Sequence, residues 1–243
     1  SRVGLGLTLT GTASAETITG GGNNDIITGL GGDDTLVGNG GDDTFRVTGT
    51  ADGFDNIDGG AGNDTITATV NNAVIGLSAV SGIETITAGG FTGVSISGSA
   101  NADTLSFAGT VLTSITQIDG GAGNDTITGS AAADTILGSG GDDMLNGGGG
   151  NDTFQYTGTA NGFDAVDGGL GTDTISALAN STVIGLSSIA GIEAISAGSF
   201  TGVSVSGSGN NDTLNFTGVT LTAIAKIDGG AGNDTITGSI GAD

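Results

Sequence analysis

The chain has 243 residues, 52 of them Gly, with no Pro, Cys, His or Trp, and its 26 acidic and 3 basic residues leave a net charge of −23. Arg2, Arg46 and Lys226 are too few cations to meet a phosphate backbone, and no run approaches the roughly 18 consecutive apolar residues of a membrane span, so neither nucleic acid nor a bilayer is an expected partner. Disulfides are excluded by the absence of Cys; without His or Cys the usual general base and thiol nucleophile are missing, and an enzyme is not expected.

Apolar residues make up 35% of the chain but aromatic ones only 4%, which calls for a long, thin core rather than a thick one. The opening Ser-Arg-Val-Gly-Leu-Gly does not read as a signal peptide, and Leu5, Leu7 and Leu9 alternate like a strand. From Ile18 onward the predicted strand centres fall near Ile27, Leu36, Phe45, Asn56, Ile66, Ile75, Ile86, Ile96, Leu105 and Thr116, returning at Ile127. The eleven strands from Ile18 to Thr116 make five and a half coils if each coil has two strands. In each Thr-Ile-Thr segment the middle residue points inward and both Thr outward, by the period of two.

Between these strands a nine-residue unit repeats. Gly59-Gly60-Ala61-Gly62-Asn63-Asp64-Thr65-Ile66-Thr67 recurs letter for letter at 120–128 and 229–237. Near copies begin at Gly20, Gly29, Gly38, Gly138, Gly147 and Gly168, and weaker ones at Gly11, Gly98, Gly129 and Gly207. A much longer period aligns 45–134 on 154–243 without gaps, with 60 of 90 positions identical. The expected organisation is one continuous solenoid over 1–243, with long repeats at 11–119 and 120–228 and the start of a third at 229–243.

The glycines of each nonapeptide permit a tight turn that aims backbone carbonyls at one point, and the Asp at its sixth position adds charge there. Calcium takes six to eight oxygens, more than one such turn offers, so two stacked turns are needed per ion. The expected pairs begin at 20/38, 38/59, 98/120, 120/138, 129/147, 147/168 and 207/229, with 11/29 weaker because Glu16 stands in for Asp. Candidate metal ligands are Asp25, Asp34, Asp43, Asp64, Asp103, Asp125, Asp134, Asp143, Asp152, Asp173, Asp212 and Asp234. About eight calcium ions would offset most of the negative charge. Segments 70–97 and 179–206, with one acidic residue each (Glu84 and Glu193), are expected to hold none.

The tandem Gly-Gly-x-Gly-x-Asp units resemble the RTX family of calcium-binding nonapeptide repeats. The resemblance covers about half the chain. It implies an all-β, right-handed parallel β-solenoid, a β-roll with intervening calcium-free coils, and the strand spacing extends this to about twelve turns over the chain. It also implies a secreted protein, extracellular or on a bacterial surface, exported by the type I route.

Thr44, Thr65, Thr85, Thr104 and Thr126 are expected to form one outward file, beside Thr67, Thr87 and Thr128, a surface similar to those that bind ice or glycan. The inward Phe residues are expected to fill the core. Thr235-Ile236-Thr237 reads as an interior strand and Asp243 as half a cation site, so copies are expected to associate end to end as a homo-oligomer or filament. The leading expectation is a self-associating surface-layer, filament or adhesin-stalk element; the alternative is the calcium-folding module of a larger secreted enzyme or toxin.

Overall fold

The computed structural model describes residues 5–239; Asp243 lies outside them. Among the described residues every regular element is a short β-strand, and strands pair in parallel. No helix is long and apolar enough to cross a membrane. Two compact units divide the chain, residues 1–99 with 103–118, and residues 100–102 with 119–243. Their coils wind as a right-handed parallel β-solenoid and come to about 11, close to the twelve that the repeats predict.

In the first unit one sheet stacks Thr8–Thr10, Ile26–Thr28, Thr44–Val47, Thr65–Ala68, Thr85–Thr87 and Val111–Thr113. Leu9, Ile27, Phe45, Ile66, Ile86 and Leu112 share one inward file along it. Ile27, Ile66 and Ile86 have no exposed surface and Phe45 almost none, and the longer strands add Val47 and Ala68, so one or two apolar residues per strand supply the core. The facing sheet carries Thr17–Thr19, Thr35–Val37 and Asp55–Asp58, then the second half of Val74–Ser81 and Thr104–Ser106.

Coils grow longer along this unit. One coil runs from Ile27 to Phe45, a longer one from Phe45 to Ile66, and a longer one still from Ile86 to Leu112. The extra length makes a third face. The first half of Val74–Ser81 pairs with Ser95–Ser97, while its second half pairs with Asp55–Asp58 and touches Thr104. Ile75, Gly76 and Leu77 are buried in succession, which breaks the in–out alternation and marks a corner. Only Gly fits at that corner, since a Cβ on Gly76 would overlap the carbonyl oxygen of Gly53.

The second unit repeats the design. Thr126–Thr128, Met144–Asn146 and Asp164–Asp167 stack on one face, and Thr135–Leu137, Thr153–Tyr156, Thr174–Ala177, Ala194–Ser196 and Thr220–Thr222 on another. Val183–Ala190 turns the corner at Gly185, and a third face pairs its first half with Ser204–Ser206 and then Lys226–Asp228.

Three-sided coils correct several sequence expectations. Twelve strands, not eleven, run from Thr17–Thr19 to Ile118–Asp119 inclusive, because Val111–Thr113 and Ile118–Asp119 flank Thr116, which is in no strand. Asn56 is exposed and Ile57 takes the inward position beside it. The threonine file is shorter than predicted. Thr44, Thr65 and Thr85 align, but the next partner is Val111, while Thr104 pairs on the facing sheet and Thr126 aligns with Met144 in the second unit. Phe45, Phe107, Phe154 and Phe216 are fully buried, whereas Phe54, Phe91, Phe163 and Phe200 are half-buried in the turns.

Candidate metal centre

The glycine-aspartate turns form the edges of the coils, and within each unit they stack one above another. The pairs that begin at 11/29, 20/38, 120/138, 129/147 and 207/229 are joined by an amide of the first glycine to the strand end below the next turn. At the fourth position of the turn, Gly41 has φ of +103°, and a Cβ there would lie 2.4 Å from the carbonyl carbon of Asn23 in the coil before. Left-handed backbone and close approach together demand glycine.

Aspartates at the sixth position turn inward, away from solvent. Asp43, Asp64 and Asp173 have no exposed surface, Asp25, Asp125 and Asp152 have 1%, and Asp34 and Asp143 have 2%. Asp103, Asp134 and Asp212 are also buried, and Asp234 is half-buried. Carboxylates so deep require partners.

In most of them one oxygen finds a partner in the coil before it. The amide of Asp25 donates to Asp43 Oδ1 (2.7 Å) and that of Asp43 to Asp64 Oδ1 (2.7 Å). On other edges the amide of Asp134 donates to Asp152 Oδ1, Asp152 to Asp173 Oδ1, Asp125 to Asp143 Oδ1 and Asp212 to Asp234 Oδ1. The rows continue where no motif predicted them. Asp34 donates to Asp55 Oδ1 and Asp143 to Asp164 Oδ1, while Asp64 and Asp173 donate to Oε2 of Glu84 and Glu193, each at 2.7 Å. Glu84 and Glu193, expected to be idle, therefore close two rows.

Sequence reasoning missed Asp55 and Asp164, both buried, because no glycine pair precedes them. The spacing of 21 from Asp34 and Asp143, equal to the coil length there, is the signal that finds them. Asp164 also accepts a hydrogen bond from the Tyr156 hydroxyl at 2.7 Å, whereas the first unit carries Val47 at the position that matches Tyr156.

The second oxygen is what suits these turns to a cation. Oδ2 of Asp34, Asp43, Asp64, Asp143, Asp152 and Asp173 is buried with no hydrogen-bond partner among the described residues. It points to the α-carbon of the first glycine of its own turn, and at Asp43, Asp64, Asp152 and Asp173 a carbonyl of the next coil arrives there too. A Cβ on Gly38 would overlap both Asp43 Oδ2 and Gly59 O, and one on Gly147 both Asp152 Oδ2 and Gly168 O. Bare glycine thus leaves a cradle in which a carboxylate oxygen and a backbone carbonyl meet.

Burial raises the pKa of these carboxyls, partly offset by the amide that each accepts, and neighbouring carboxylates raise them further. Asp152 is pushed up to about 6, Asp55 and Asp143 to about 7, and Asp164 to about 8. Asp34, Asp43, Asp64, Asp134 and Asp173 shift upward for the same leading cause. Among the described residues no three acidic side chains converge at one point. A bound ion must therefore draw most of its shell from carbonyls, which suits a hard cation such as calcium and not one that needs imidazole or thiolate.

Known proteins place these turns in a family. Residues 10–45, 50–72, 119–154 and 226–243 match the RTX calcium-binding nonapeptide repeat, four copies in all. A search of curated proteins finds no match. The matched segments, just under half of the chain, contain most of the stacked glycine turns and most of their buried aspartates, and there the chain carries the RTX calcium-binding nonapeptide repeat.

Proposed function

We propose that the chain is a calcium-stabilised structural element of a secreted protein, whose copies associate at the cell surface as a layer, filament or adhesin stalk. The observation that carries the calcium part is the set of six buried, unpartnered carboxylate oxygens in a chain with only three basic residues. Nothing in the protein's own charge can compensate them. An extracellular location is supported by the RTX repeats, which are characteristic of secreted proteins, and by calcium levels there that suit weak sites. Self-association is supported by repetition, since each coil offers its backbone along the stack to another of the same shape.

Calcium is expected to couple to folding. In chelator the buried carboxylates repel one another and 52 glycines oppose ordering; circular dichroism should show a largely disordered chain that gains β-structure in roughly millimolar calcium. Identical spectra in the two conditions would sink the proposal. The second reading, a calcium-folding module of a larger secreted enzyme or toxin, is favoured by the family match alone. Ice or glycan binding loses support, because the aligned threonines stop at Val111.

A further inference from the structure

The second residue of each turn takes one of two conformations, and the choice decides what the aspartate four positions later does. In the turns at Gly20, Gly98, Gly129 and Gly207 the amide of Gly21, Ser99, Ser130 or Ser208 donates to Oδ2 of Asp25, Asp103, Asp134 or Asp212, at 2.5 or 2.6 Å. Those turns seal themselves. Wherever Oδ2 is buried and unpartnered, the second residue is left-handed: Leu30 and Asn39 at φ +72°, Gly60 at +94°, Ser139 at +66°, Gly148 at +91° and Gly169 at +88°. The amides of Gly148 and Gly169 turn backward instead, to Asn146 Oδ1 (2.9 Å) and Asp167 Oδ1 (3.1 Å).

A trans peptide holds its N–H and C=O on opposite sides, so turning the amide away swings the first glycine's carbonyl the other way. In these open turns that carbonyl reaches the preceding coil, where Gly59 O and Gly168 O enter the cradles at Gly38 and Gly147. A cation is repelled by the N–H and held by the carbonyl. The turn thus exchanges a donor for an acceptor.

One coil beyond the last nonapeptide of two rows a carbonyl arrives in the same way, although there the first residue of the turn and not the second is left-handed. Gly82 and Gly191 are left-handed, at φ +59° and +58°, and their carbonyls enter the cradles at Gly59 and Gly168. There a Cβ would lie 2.7 Å from Asp64 Oδ2 and 2.6 Å from Asp173 Oδ2, both unpartnered and fully buried. From glycine to carboxylate these turns are three residues shorter than a nonapeptide, and the extra methylene of Glu84 and Glu193 restores the reach to the Asp64 and Asp173 amides. Neither Gly82 nor Gly191 lies in a segment that matches the repeat family.

We propose that Asp64 with Gly82 O, and Asp173 with Gly191 O, each hold a divalent cation, with Glu84 and Glu193 as positioning residues, while Asp25, Asp103, Asp134 and Asp212 in their sealed turns hold none of their own. This rests on the calcium reading above. Ions per chain are counted by equilibrium dialysis at a calcium level that saturates the wild type, with β-structure followed by circular dichroism. Asp173→Asn keeps the Oδ1 acceptor for Asp152 and is expected to lose one ion, as is Asp64→Asn in the first unit; Asp134→Asn loses none. Glu193→Ala is expected to lose the terminal ion, and Glu193→Gln, which keeps an acceptor, to retain it. Full wild-type counts in both Asp64→Asn and Asp173→Asn overturn the proposal, as does equal behaviour of the two Glu193 variants. Loss of β-structure in both aspartate variants at saturating calcium overturns it too, because a terminal site cannot hold the whole fold. No calcium bound to the wild type would instead overturn the calcium reading on which this one rests.

Discussion

At the scale of single residues, the buried carboxylates make an unusual prediction about pH. An aspartate whose pKa is raised by folding binds its proton more tightly folded than unfolded. Between the unfolded value of about 3.9 and the folded values of about 6 to 8, the fold then loses stability as pH rises. In chelator the thermal midpoint is therefore expected to fall between pH 5 and pH 8; a midpoint that rises over that range contradicts the burial argument. Protons and calcium relieve the same repulsion, so calcium should flatten this dependence. Tyr156 gives a second test. Burial holds its hydroxyl well above the usual pKa, so it stays protonated and donates to Asp164. Tyr156→Phe removes that donor from a buried oxygen and is expected to cost about 1–3 kcal/mol in a denaturant melt in calcium. A cost near zero would mean that water or an ion already serves Asp164.

Among elements, the corner glycines separate what a sequence pattern reveals from what it conceals. A Cβ on Gly185 would overlap the carbonyl oxygen of Gly162, whereas one on Gly209 meets open space. Gly185→Ala is expected to destabilise the second unit by about 1–3 kcal/mol and Gly209→Ala by well under about 1 kcal/mol, as thermal unfolding in calcium would show. Equal effects would mean that the corner relaxes freely. Nonapeptide strands were legible because Thr-Ile-Thr after a glycine-aspartate turn fixes both the inward residue and the coil spacing of 18 seen from Asp25 to Asp43. Where coils lengthen, that rule fails. Nothing local announces that Val74–Ser81 serves two faces, so the strands at Val111–Thr113 and Ile118–Asp119 were hidden and Thr104 was assigned to the wrong file. Among the buried carboxylate rows the motif aspartates were legible. Asp55, Asp164, Glu84 and Glu193 were not, because their place is set by the stacking distance between coils and not by neighbours in sequence.

For the molecule as a whole, a net charge of −23 works against close approach of copies until cations bind. Self-association is therefore expected only with calcium present. Sedimentation velocity should show larger species as calcium rises to millimolar levels and a single slow species in chelator. A monodisperse monomer at high concentration in calcium would favour the secretion-module reading. The coil-to-coil hydrogen bonds add a further property, polarity. Past the first member of a row, each carboxylate is gripped by the amide of the coil before it, and the cradles at Gly38, Gly59, Gly147 and Gly168 are finished by a carbonyl from the coil after. Dependence consequently runs one way. Damage to Asp173 unfastens Asp152 behind it and leaves Glu193 ahead untouched, so a lesion anywhere in a row travels toward the N-terminal side and stops at the seal where that row begins.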